Sequence, residues 1–126
     1  MPIIVGDDLM KIAISADGKT NESILDVRFG RCEYFQIHDT DKKDIKVLDN
    51  LGKSANGGAG IVAANQLVDE KVNVIITGNL GPNAFEVMEK AEIKAYKCEN
   101  ISMTDVLEKY KNNELEEIKI SGPALH

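Results

Sequence analysis

"VNVIITGNLGPNAFEVMEK", Val72 to Lys90, changes its hydrophobic period part-way through. Val72, Val74, Ile75 and Ile76 form a β-branched apolar run, whereas Ala84, Val87, Met88 and, just beyond, Ala91 recur at the spacing of one helix face. The pattern predicts a strand over 72–77, a loop over 78–82 and a helix after it. Pro82 presets φ for a first helical turn, and Asn83 with Glu86 three residues on is a capping signal. Capping explains most of the loop as a turn. Asn79 is left without a structural duty, and its amide is suited both to donate to and to accept from a ligand.

Working outward, residues 93–96 read as a second strand. Upstream, the Gly-rich "LGKSANGGAG" gives way to Ile61, Ala64, Leu67 and Val68 on one face of a helix running to about Lys71. Earlier still, "YFQIHDTD" and "DIKVLDN" alternate apolar and polar residues on either side of Lys42-Lys43, as two antiparallel strands of a hairpin. Lys11 to Ala16 alternates as the first strand. Downstream, Ser102 and Asp105 form a capping box ahead of a last helix with Met103, Val106, Leu107 and Tyr110 on one face, and "NNELEEIKISGPALH" leaves room for a short strand.

Two strand–helix–strand units with short connections predict a parallel core, to which the hairpin adds one antiparallel strand. The expectation is a mixed five-stranded sheet with helices on both faces, a three-layer α/β/α domain over residues 10–120. Residues 1–9 read as an extension and 121–126 as a tail.

The chain has 126 residues, 43% of them hydrophobic and 29% charged, which suits one ordinary core. Its net charge of −6 and dispersed Lys and Arg argue against a nucleic-acid surface. No apolar run approaches the roughly 18 residues of a membrane span, and Met1 to Lys11 lacks the order of a signal peptide, so a cytoplasmic location is expected. Cys32 and Cys98 form no CxxC pair and read as two free thiols of a reducing compartment. His38 and His126 have no partner that sequence identifies.

Three loops of unusual composition map beyond the carboxyl ends of the strands, where ligands collect in open α/β sheets. Gly57, Gly58 and Gly60 leave backbone N–H groups exposed at a helix start, facing an anion or serving only as a flexible turn. In "RFGRC", Arg28 and Arg31 suit a carboxylate, a phosphate or an anionic cluster, and they lower the pKa of an adjacent thiol; surface ion pairs with Asp26 or Glu33 are the plainer reading. Gly78 and Asn79 form the third loop. Neither glycine segment matches G-x-x-x-x-G-K-[ST] or G-x-G-x-x-G. Asp17 is the best-placed acid, yet alone it reads as a turn residue.

Taken in order, "KIAIS", "RFGRCEYF", "GGAGIVAANQL" and "VIITGNLGPNAFEVM" resemble the dinitrogenase iron-molybdenum cofactor biosynthesis family, which includes nitrogenase accessory carriers and small stand-alone domains of archaea and anaerobic bacteria. The likeness covers Met10 to about Leu115. It implies a ribonuclease-H-like fold and non-enzymatic, transient binding or carriage of an iron–sulfur or iron–molybdenum type cluster. Metallocluster assembly proteins are the implied partners of a monomer or weak homodimer. Where the family often has His-Phe-Gly-Arg, this chain has Arg28-Phe29-Gly30-Arg31. Cys32 is the thiolate ligand expected in place of the imidazole, with Cys98 joining it at the same edge. A metal-free binding module for a small anion or partner protein is the alternative, and a metal-dependent hydrolase built on Asp17 a weaker one.

Overall fold

The computed structural model describes residues 10–40 and 44–122, so the extension 1–9, the Lys42-Lys43 turn and the chain beyond Gly122 lie outside the described residues. Its strands are β1 (Lys11–Ala16), β2 (Tyr34–Asp39), β3 (Asp44–Asp49), β4 (Val74–Thr77), β5 (Lys94–Lys97) and β6 (Glu116–Glu117). Its helices are α1 (Ala59–Asp69), α2 (Pro82–Lys90) and α3 (Met103–Lys111). The sheet order is β3-β2-β1-β4-β5-β6. β1, β4 and β5 are parallel neighbours, and β2 runs against both β1 and β3.

The expected five-stranded sheet with one reversed strand is corrected to six strands with two reversed. β6 pairs antiparallel with β5 through only Tyr96↔Glu117 and Lys97↔Glu116. Two glutamates carry no strand signal of their own. Their place is fixed by the next residue, Ile118, whose N–H donates to Ala95 O at 2.8 Å and whose side chain packs on the core.

Alternation along the central strands sorts the apolar residues onto two faces. Ala13 and Ile75 face Ala63, Ala64 and Leu67 of α1 and Ala84 and Met88 of α2. Ile12, Ile14, Val74 and Ile76 face Met103 and Val106 of α3. Each such large aliphatic side chain removed from water contributes about 1.5–3 kcal/mol. Two helices therefore cover one face and one the other, giving three layers.

Because β1, β3 and β4 all run the same way, the segments that follow them emerge at one edge of the sheet. These are residues 17–33, 50–58 and 78–81. The first is held to the sheet by Ser15, whose hydroxyl donates to Asp26 O at 2.6 Å and lies 2.8 Å from the Thr77 hydroxyl.

Candidate functional site

At that edge Arg28, Arg31, Gly57, Gly58 and Asn79 line one crevice of about 200 Å³ on the α1/α2 face. The backbones of the first and third segments meet directly, Arg28 bridging to Asn79 in parallel fashion. Gly30 brings the second segment in. A Cβ built there would fall 2.9 Å from the Gly60 nitrogen, so the loop rests on the α1 backbone at a distance no side chain permits.

The crevice is made of hydrogen-bond donors. In α1 the first turn closes with Val62 N–H donating to Gly58 O at 3.0 Å, so the N–H groups of Ala59, Gly60 and Ile61 precede any intrahelical bond. The N-cap, Gly58, sits at φ 66° and has no side chain to satisfy them. In α2, Phe85 N–H donates to Gly81 O at 3.0 Å, leaving the N–H groups of Asn83 and Ala84 in the same condition. The N-cap there is Gly81, followed by Pro82 at the first helical position. This corrects the expected Asn83–Glu86 cap: with Pro82 opening the helix, Asn83 is already inside the first turn, and Glu86 pairs instead with Lys90 at 3.4 Å. All five donor residues line the crevice, and neither helix has an acid in its first turn. Two positive helix ends converge on one space.

The arginines differ in their engagements. Arg28, its side chain 56% exposed, pairs with Asp26 at 3.3 Å, and its own N–H donates to the same carboxylate at 2.9 Å. Arg31 makes no ion pair with a described residue. Its Nη1 donates to Lys53 O and Ala55 O, both at 3.0 Å, so it holds the Gly-rich segment while its charge stays at the crevice. No Asp, Glu, Cys or His is among the lining residues.

The expectations for the thiols require correction. Cys32 is fully buried beneath the crevice, its Sγ–H shared between Tyr34 O at 3.3 Å and Phe29 O at 3.5 Å. Burial first, then the negative charge of Asp26, push this thiol up to about 12, opposite to the activation expected from the arginines. Cys98 lies beyond β5 at the same sheet edge but packs in the α3 cluster, on the other face from Cys32, and burial raises its thiol as well. The two sulfurs lie in core clusters on opposite faces of the sheet, and no group of three or more His, Cys, Asp or Glu able to hold a metal ion occurs among the described residues.

Gly78 does not line this crevice. A Cβ on it would fall 2.6 Å from the Val27 Cα, so its small size serves the packing of the third segment against the first. Asn79 also lines a second groove along residues 115–122, and a Cβ on Gly122 would collide with its side chain. Asp17 accepts from Ile24 N–H at 2.8 Å, which is the turn role. Sequence reasoning passed over Asn50, which is 1% exposed and donates to Gly30 O at 3.1 Å and Cys32 O at 2.9 Å. Its position between a strand and "LGK" looks like an ordinary turn, and only the fold shows the reach across to the other loop.

Comparison with known proteins adds three findings. Residues 10–113 match the family described as dinitrogenase iron-molybdenum cofactor. The chain is similar to an uncharacterised protein of Methanocaldococcus jannaschii, 31% identical over 114 residues that span 88% of this chain and 93% of the other. Among solved structures it is similar to the apo form of the orange protein from Desulfovibrio gigas, with a TM-score of 0.85 and 27% identity over 90% of this chain and 97% of that one. It is similar as well to a Thermotoga protein provisionally described as NifB, with a TM-score of 0.79 and 32% identity over 90% and 97% of the two chains.

Proposed function

We propose, from the premise that this chain belongs to the dinitrogenase iron-molybdenum cofactor family, that it binds and carries an anionic metal–sulfur cluster, or a precursor of one, without ligating it through cysteine. The observation that carries the reading is the pair of uncapped helix starts opening, with Arg28 and Arg31, onto one crevice that no carboxylate lines. An anion there accepts hydrogen bonds from five backbone N–H groups and meets the charge of the guanidiniums. Cargo held by charge and hydrogen bonds, with no bond to break at release, suits transient carriage between metallocluster assembly proteins. In this reading the domain spans residues 10–120 as a ribonuclease-H-like unit, works as a monomer or weak homodimer in the cytoplasm and performs no chemistry on its cargo. No helix among the described residues is long and apolar enough to cross a membrane.

A second reading, a metal-free module for a small oxyanion, is favoured by the same lack of soft ligands in the crevice. Anaerobic titration with tetrathiomolybdate, the simplest molybdenum–sulfur anion, separates the two. The expected result is a perturbed charge-transfer band that weakens as salt rises and persists undiminished in Cys32→Ser. Absence of binding with tight binding of phosphate would favour the second reading. Loss of the band in Cys32→Ser would establish thiolate ligation and overturn the proposed mode.

A further inference from the structure

We infer that Asn50 is the positioning residue of the crevice, fixing the arginine-bearing loop against the start of α1. The inference rests on the anion-binding reading above. Asn50 does not line the crevice, so any effect it has on cargo passes through the groups it holds.

The donors of this residue tie two segments together, and its acceptors close its own turn. The side-chain Nδ2 donates to Gly30 O at 3.1 Å and Cys32 O at 2.9 Å, while Oδ1 accepts from Gly52 N–H at 2.9 Å. Its main-chain N–H donates to Glu33 O at 3.1 Å, and its carbonyl accepts from Lys53 N–H at 3.2 Å. Arg31 makes the reciprocal tie, from the first loop to the carbonyls of Lys53 and Ala55. The two ties cross, and the Gly30 backbone is the point they clamp onto Gly60.

Without Nδ2, the carbonyls of Gly30 and Cys32 lose their donor, the latter in a buried place, and the loop relaxes to find another. Arg28, Phe29, Gly30 and Arg31 then shift relative to the N–H groups of Ala59, Gly60 and Ile61. An anion site made of separate donors depends on all of them pointing at one place, so a displacement of even about half an ångström degrades it. An apolar replacement of the same size makes neither of the bonds to Gly30 O and Cys32 O, which is what an amide supplies just past β3.

The test compares two buried amides. Gln36, fully buried, donates to Gly18 O at 3.0 Å and Thr20 O at 2.9 Å, and none of its side-chain hydrogen-bond partners lines the crevice, so Gln36→Ala is a control for instability alone. Tetrathiomolybdate affinity is measured calorimetrically for wild type, Asn50→Ala and Gln36→Ala at a temperature where circular dichroism shows each fully folded. Both variants are expected to melt lower, and only Asn50→Ala to bind at least tenfold more weakly. Wild-type affinity in Asn50→Ala, or an equal loss in Gln36→Ala, would overturn the positioning role while leaving the anion site standing. Failure of the wild type to bind overturns both. Should Asn50→Ala not fold, the uncharged Asn50→Ser takes its place: its hydroxyl is able to accept from Gly52 N–H but is too short to reach Gly30 O and Cys32 O together, with the same two outcomes.

Discussion

The amino ends of the three helices are built in two ways. On one face of the sheet α3 starts with Ser102, whose hydroxyl accepts from Asp105 N–H at 3.2 Å, and carries Asp105 in its first turn. On the other, α1 and α2 start with glycines, carry no acid in their first turns and open side by side onto the crevice. The chain thus closes one helix start with a side chain and leaves two open where their donors converge. The open ends forgo a side-chain cap, which for a glycine in that position costs only about 0.3 kcal/mol each.

Closing an open end is therefore the most severe test. Gly81 lies at φ −70° and ψ 173°, an extended conformation that aspartate adopts, so Gly81→Asp installs both a cap and a negative charge at α2. Tetrathiomolybdate affinity should fall by about a hundredfold while the melting temperature holds or rises slightly. A variant that loses affinity only in proportion to lost stability would remove the contrast on which the site rests.

Opening the closed end should do the reverse. Ser102→Ala deletes the α3 cap, and denaturant unfolding should show a loss of about 1 kcal/mol with unchanged anion affinity. A change in affinity would mean that the two faces communicate.

Acid should distinguish the faces most gently. His38 alternates with Ile37 and lies toward the α3 side, its Nε2 2.9 Å from Gln36 Oε1. The Gln36 amide already donates to two carbonyls, so its oxygen accepts and the imidazole carries its proton on Nε2. Burial lowers the pKa of this imidazole below its ordinary 6.5, and the folded state therefore binds fewer protons than the unfolded one. That contribution to stability is complete above pH 6.5 and is lost as pH falls through 6.5 towards the folded value. Hydrogen exchange should show the α3 face loosening first on mild acidification, an effect absent in His38→Gln. The crevice, which no His, Asp, Glu or Cys lines, should keep its exchange protection unchanged over that range.

The layers and the sheet edge were legible because they follow from period and punctuation: Val74 to Ile76 could only be buried strand, and Ser102 with Asp105 could cap without outside help. What stayed hidden depends on direction and distance. Cys32 and Arg31 are adjacent in sequence, yet one side chain points into the core and the other lies along the crevice, a difference set by the turn at Phe29-Gly30. Asn50 acts across twenty residues, and β6 exists only because Ile118 anchors the chain beside β5. Proline at the start of α2 outweighed the Asn83 signal, since the residue before the proline had already become the cap.

The seating of Gly30 on Gly60 also sets how near the first loop stands to the start of α1. Backbone touches backbone there, so no side chain at the contact can swing aside, and the two segments are spaced like the jaws of a calliper. A side chain at Gly30 would meet the Gly60 nitrogen at 2.9 Å and force the jaws apart.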